Sequence, residues 1–152
     1  MSTTPIAKVD VRGPRFVAWI TTAVLTIVLV VSAVSRPEAA IFLAGQAVVF
    51  GIGAIAGPKR HPYGLIFASL VAPRLGPTKD REPVAPLKFA QLVGLVFALF
   101  GAAGFASGSF YLGVVATAGA LAAAFLNAAF GICLGCRIYP LVARLRPTTR
   151  PA

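Results

Sequence analysis

The chain contains two thiols, Cys133 and Cys136, in the stretch Phe130-Gly131-Ile132-Cys133-Leu134-Gly135-Cys136-Arg137-Ile138-Tyr139-Pro140. Such a dithiol can close a reversible disulfide, carry sulfane sulfur, supply half of a metal site, or simply pack. At helical spacing both sulfurs fall on one face, near enough to meet after a modest adjustment. Gly131 and Gly135 loosen the backbone on either side. The last long apolar run ends here, so the sequence places Cys133 at the carboxyl end of a helix. The dipole there opposes a thiolate. Arg137 acts the other way, and so would a short helix beginning near Cys136. Cys133 and Cys136 are therefore the catalytic candidates, with Arg137 as support for the thiolate.

A metal is the next chemistry to weigh. Zinc or Cu(I) accepts two thiolates, but a closed zinc site needs four ligands. The chain offers Cys133, Cys136 and its single histidine, His61, so the rest would have to come from a dimer. No second CxxC is present. Four acidic residues give no paired carboxylates, and His61 has no evident Ser or Asp relay. There is no P-loop and no GxGxxG following a strand, so no cofactor is indicated. Whether the chain is an enzyme is left open by the sequence.

The elements that must position these residues are apolar spans. Of 152 residues, 58% are hydrophobic and 12% charged, with a mean hydropathy of +0.86. Soluble domains carry about 25% charge, and the apolar residues here come in runs close to the roughly 20 residues that cross a bilayer. Phe16–Val34, Ala39–Gly57, Phe89–Phe105 and Phe110–Ile132 read as four transmembrane helices. The first is too long for a signal-peptide core of about 7–15 residues, although Val31-Ser32-Ala33 resembles a cleavage site. Tyr63–Leu75 is too short to span and, flanked by Arg60 and Arg74, reads as an interfacial helix.

The net charge of +10 is explained first by topology and by anionic lipid. Without a basic stripe and interleaved aromatics, nucleic acid is not expected as a partner. Lys and Arg concentrate in the N-terminal arm, the 58–88 loop and the C-terminal tail. The two tight turns hold only Arg36. The positive-inside rule then puts both termini and the dithiol on the cytoplasmic side of the membrane, in a multi-pass protein.

The halves echo one another. Pro14-Arg15-Phe16 opens one helix pair and Pro86-Leu87-Lys88-Phe89 the other, and each pair is followed by an amphipathic piece. The expected organisation is an N-terminal arm (1–15), one transmembrane domain (16–147) with repeats over 14–77 and 86–147, and a tail (148–152). The fold class is an all-α membrane protein: four transmembrane helices as two like-oriented hairpins, each followed by a short cytoplasmic amphipathic helix. The repeat sets the Gly57–His61 elbow opposite Gly131–Gly135 and brings His61 toward the dithiol. Gly53/Gly57 and Gly104/Gly108 form GxxxG motifs for close helix packing. Gln46, Gln91 and Asn127 are the main polar groups within the spans. Gln46 and Asn127 read as interhelical hydrogen-bond partners.

Asp10-x-Arg12-x-Pro14-Arg15-Phe16, Pro86-x-x-Phe89-x-Gln91 and Cys133-Leu134-Gly135-Cys136 with Tyr139 together resemble domain-of-unknown-function family 4395, common in actinobacteria. The resemblance covers nearly the whole chain and implies a partner of thioredoxin-like or rhodanese-type proteins. The expected function is a membrane thiol protein handling electrons or sulfane sulfur with such a soluble partner. The alternatives are a non-catalytic small subunit or assembly factor of a larger membrane complex, a small permease for a sulfur species, or a metal-binding membrane protein. A homodimer is among the partners to consider.

Overall fold

A computed structural model describes residues 5–146; the expected tail at 148–152, with Arg150, lies outside the described residues. Four helices are long and apolar enough to cross a membrane: α1 (Arg12–Ser32), α2 (Arg36–Ala56), α5 (Val84–Ala106) and α6 (Phe110–Phe130). Between α2 and α5 lie α3 (Pro62–Ile66), a π-helical turn (Phe67–Val71) and α4 (Ala72–Leu75); α7 (Leu134–Leu145) follows α6. Many large apolar side chains point outward, among them Ile41, Ile55, Phe100 and Val115. Lipid is the solvent that accepts such a surface, and only structures that satisfy their own backbone can stand in it.

The helices begin earlier than the apolar runs. α1 starts at Arg12 and α5 at Val84, because Pro14 and Pro86 fit a first turn whose N–H groups have no intrahelical partner. Both starts are held by a feature the apolar pattern does not announce. β1 (Lys8–Asp10) pairs antiparallel with β2 (Arg81–Pro83), with Val9 opposite Glu82. Val84 N–H to the Ala7 carbonyl (3.0 Å) and Val11 N–H to the Asp80 carbonyl (3.3 Å) extend the ribbon at its ends. The starts of α1 and α5 are therefore tied together at one end of the bundle. At the helix ends far from this ribbon, Arg36 Nη1 donates to the Gly108 carbonyl at 3.2 Å and links the two tight turns.

α2 packs most extensively on α5 and α1 on α6, and α1–α2 and α5–α6 close the ring. The core centres on Leu25, Val28, Leu43, Phe50, Ala98 and Phe105. Outside the ring, contacts recur in the two halves. Phe16 of α1 meets Phe67 with ring centroids 5.7 Å apart, and Phe89 of α5 meets Tyr139 of α7 at 5.8 Å. Arg15 lies beside Gly131, and Lys88 beside Gly57. The Tyr63–Leu75 piece is helical, as its pattern predicts, but Pro73 widens it. A proline ring crowds the carbonyl four residues back and donates no hydrogen bond, which a π turn accommodates.

The second GxxxG motif does bring two backbones together. A Cβ built on Gly104 would lie 2.5 Å from the Gly113 nitrogen across the α5–α6 contact. Gly104→Ala should therefore cost about 1–3 kcal/mol by overpacking. Gly45→Ala, with nothing within 4 Å, should be neutral or slightly stabilising. Thermal unfolding of both variants in one detergent checks this; equal midpoints would remove the role of Gly104.

Candidate functional site

The dithiol sits at the break between α6 and α7. Gly131, at φ +67°, ends α6 in the left-handed conformation that favours glycine, and its N–H bonds back to the Asn127 carbonyl. The chain then extends through Cys133, and α7 begins at Leu134. Cys133 is the N-cap: its Sγ accepts a hydrogen bond from the Cys136 N–H at 3.3 Å, and its carbonyl accepts from the Arg137 N–H at 3.1 Å. Cys133 and Cys136 are joined as a disulfide, with Cα atoms 5.2 Å apart.

This corrects one sequence expectation. The apolar run through Ile132 puts Cys133 on the carboxyl end of the fourth span, where the dipole opposes a thiolate. In the structure the fourth helix has already ended, and Cys133 occupies the amino end of the next. The field there has the opposite sign and favours a thiolate. Two signals for this lie in the sequence: a glycine at 131 just after the last small-residue turn, and amphipathic spacing of Leu134, Ile138, Leu141 and Leu145.

α7 is seated by a close approach. Gly135, inside the CxxC, is buried, and a Cβ there would lie 2.6 Å from the Ala90 Cα of α5. The glycine between the cysteines is thus the point where the dithiol turn touches the bundle.

The nearby cations are placed differently from one another. The Arg137 side chain is exposed on α7. Arg15 is the cation placed at the break: its Nη2 donates to the carbonyls of Ala128 (3.3 Å) and Ala129 (3.5 Å), and its guanidinium faces Gly131. It sets a positive charge on the carbonyl end of α6, which stops three residues before Cys133. Arg12 forks onto Asp10, with Nη2–Oδ2 at 2.8 Å, and also donates to the Gly76 carbonyl at 2.8 Å. Its guanidinium holds the Asp10 carboxyl below the usual carboxylate range, while burial pushes Glu82 up.

Beside the dithiol is a cavity of about 270 Å³, walled by α1, α5, α6 and the first turn of α7, with Phe50 of α2 at its inner side. Cys133 lines it, as do Gln91 and Asn127. His61 does not. It lines an adjoining pocket of about 20 Å³ that shares Pro14, Val17, Leu87 and Gln91 with the larger one. Among the described residues, no three His, Cys, Asp or Glu side chains converge to hold a metal ion.

His61 is the N-cap residue of α3 and is 1% exposed, between Gly53 of α2 and Gln91 of α5. Both ring nitrogens lack a hydrogen-bond partner, as do Gln91 Oε1 and Gln46 Nε2; Gln46 Oε1 accepts from the Tyr63 hydroxyl at 2.8 Å. The Gln46 bond is thus to the short helix α3 rather than to another span. Burial pushes His61 below the ordinary imidazole value, and the Gln91 amide opposes this only in part. The unfolded imidazole takes its proton first, so the stability contributed by neutral His61 is present above about pH 6.5 and is lost as pH falls through and below that value. Thermal midpoints in detergent between pH 8 and 5 should fall more steeply for the native protein than for His61→Gln. Parallel profiles would refute the buried neutral histidine.

No curated protein and no solved structure matches the chain. A family model, described as a domain of unknown function (DUF4395), matches residues 9–144. That span runs from the β1 ribbon through the dithiol to the last turn of α7. The chain belongs to the DUF4395 family.

Proposed function

We propose that this is a thiol-exchange protein of the bacterial cytoplasmic membrane, passing electrons or sulfane sulfur to or from a soluble thioredoxin- or rhodanese-like partner. The observation that carries this reading is the Cys133–Cys136 disulfide at the amino end of α7, with the Cys133 sulfur capped by the Cys136 N–H. In exchange, the partner's thiolate attacks Cys136 Sγ and the S–S electron pair leaves on Cys133. A thiol with a depressed pKa is the better leaving group, and the helix end supplies that depression. A second partner thiol attacks the mixed disulfide, and the Cys136 thiol is released. The dithiol is then reduced by two electrons and the partner is oxidised by two. A bound persulfide follows the same geometry, with the outer sulfur leaving as sulfide when Cys136 closes on Cys133.

The topology belongs to the same proposal. Two like-oriented hairpins, α1–α2 and α5–α6, stand about a pseudo-twofold axis along the membrane normal. The ribbon joining the starts of α1 and α5, the Arg36–Gly108 link at the far turns, and the paired Phe16–Phe67 and Phe89–Tyr139 contacts all support duplication. The ribbon end carries Lys8, Arg12, Arg15, Lys59, Arg60, Arg81 and Lys88, so it is the cytoplasmic end, with both termini and the amphipathic segments there. This basic face suits anionic lipid and an acidic docking surface.

In a Cys133→Ser/Cys136→Ser background, a single cysteine at Ser109 should react with a membrane-impermeant maleimide added outside intact cells, and one at Thr78 should not. The reverse pattern would invert the topology. On the reduced protein at neutral pH, Cys133 in Cys136→Ser should alkylate several-fold faster than Cys136 in Cys133→Ser, because the α7 amino end favours its thiolate. If both thiols react alike, or neither reacts without denaturant, the exchange reading fails and a non-catalytic subunit with packed cysteines takes its place.

A further inference from the structure

We propose that the cavity beside Cys133 binds the head group of a lipid-soluble quinone, which accepts the two electrons of the reduced Cys133–Cys136 pair. This deepens the thiol-exchange reading and rests on it. Most of the walls are faces of membrane-spanning helices, which suits an occupant drawn from the bilayer. A cavity of about 150 Å³ takes benzene; about 270 Å³ takes a substituted one- or two-ring head. The room exists because α6 presents small residues, including Ala120, Ala123 and Ala124, to the cavity, with Phe50 and Phe97 supplying aromatic walls.

The polar groups fit a quinone in both redox states. Gln91 and Asn127 line the cavity, so two carboxamide residues stand in its otherwise apolar wall. A carboxamide donates to a quinone carbonyl and accepts from the hydroxyl that replaces it. A lipid tail would use neither amide, and the described residues hold no cluster for a redox metal.

The dithiol is also placed for the step. Cys133 lines the cavity, while Cys136 is absent from its walls. The Cys133 thiolate adds to a ring carbon, forming an S–C bond. Cys136, as thiolate, then attacks Cys133 Sγ. The S–S bond forms, the S–C bond breaks, and its electron pair stays on the ring. The two protons of the thiols end on the two quinone oxygens. Dithiol and quinone give disulfide and hydroquinone, with atoms and electrons balanced. Entry of electrons at Cys136 and exit at Cys133 keeps soluble donor and membrane acceptor on separate sulfurs.

The test uses the full-length protein in detergent, reduced and held without oxygen. Decylubiquinone and 2,3-dimethyl-1,4-naphthoquinone are the probes, because fully substituted rings do not stably arylate thiols. Disulfide is followed by mass and hydroquinone by absorbance, and equilibration with glutathione is measured on the same sample. The expected result is one hydroquinone per disulfide. Ala124→Phe should slow this at least tenfold, and Gln91→Leu should slow it less, with glutathione equilibration unchanged in both. Normal glutathione equilibration with quinone oxidation no faster than for a free CxxC peptide, or at an undiminished rate in both variants, overturns the quinone site alone. Failure to equilibrate with glutathione overturns the thiol-exchange reading and the quinone site with it.

Discussion

In hydrocarbon every backbone N–H and C=O must find its partner within the protein, and the rest of this structure follows from that demand. The spans are continuous helices, and the breaks gather at their ends. Where a break occurs, the freed groups are taken up by something specific. The α6 carbonyls receive Arg15, the Ser109–Gly108 turn receives Arg36, and the first turns of α1 and α5 stand beside the β1–β2 ribbon. The dithiol belongs to this set. Its sulfur takes up an unpaired N–H at the start of α7, so the atom that satisfies the helix end is also one of the two joined in the disulfide.

That double role explains which parts of the fold were legible beforehand. Span number and approximate limits follow from uninterrupted apolar runs, which few other arrangements tolerate. The ribbon was not legible: Lys8–Asp10 and Arg81–Pro83 are three-residue strands 73 positions apart at their centres, Val9 and Glu82, and neither has a run long enough to show a period of two. The Asp10, Arg12 and Arg15 cluster could be recognised as a pattern, yet its purpose, bracing the arm and closing α6, appears only in three dimensions. Hydropathy continues through Ile132 and so sets Cys133 at a carboxyl end, while the backbone turns at Gly131 and the short helix that the sequence also allows near Cys136 begins at Leu134. Hydropathy reports solvent preference, and the direction of a helix dipole depends on where the hydrogen bonds stop.

The proposed duplication makes the contrast between the two elbows informative. His61 occupies the N-cap position of α3 as Cys133 does that of α7, each shortly after a glycine with positive φ that ends a span, but only the cysteine side chain accepts a capping hydrogen bond. One elbow buries an imidazole with Gln91, Gln46 and Tyr63 nearby and leaves a pocket of about 20 Å³. The other carries a disulfide and opens on about 270 Å³. If the halves began alike, one has been filled and the other kept open. Gln91 and Pro14 line both spaces, so the filled elbow forms part of the rigid wall of the open one.

Rigidity at that wall matters because the glycine inside the CxxC leaves no slack. With Gly135 against Ala90, the start of α7 cannot slide on α5 without losing its closest contact. The cysteine sulfurs are carried on that same turn, so their distance from the cavity is set by helix packing rather than by a loop. Under the proposed exchange, a dithiol held this way would meet a soluble partner at Cys136 and a membrane-borne acceptor at Cys133, the sulfur-bearing residue that lines the cavity. Two sulfurs three residues apart on one helix end would then be enough to separate those two directions.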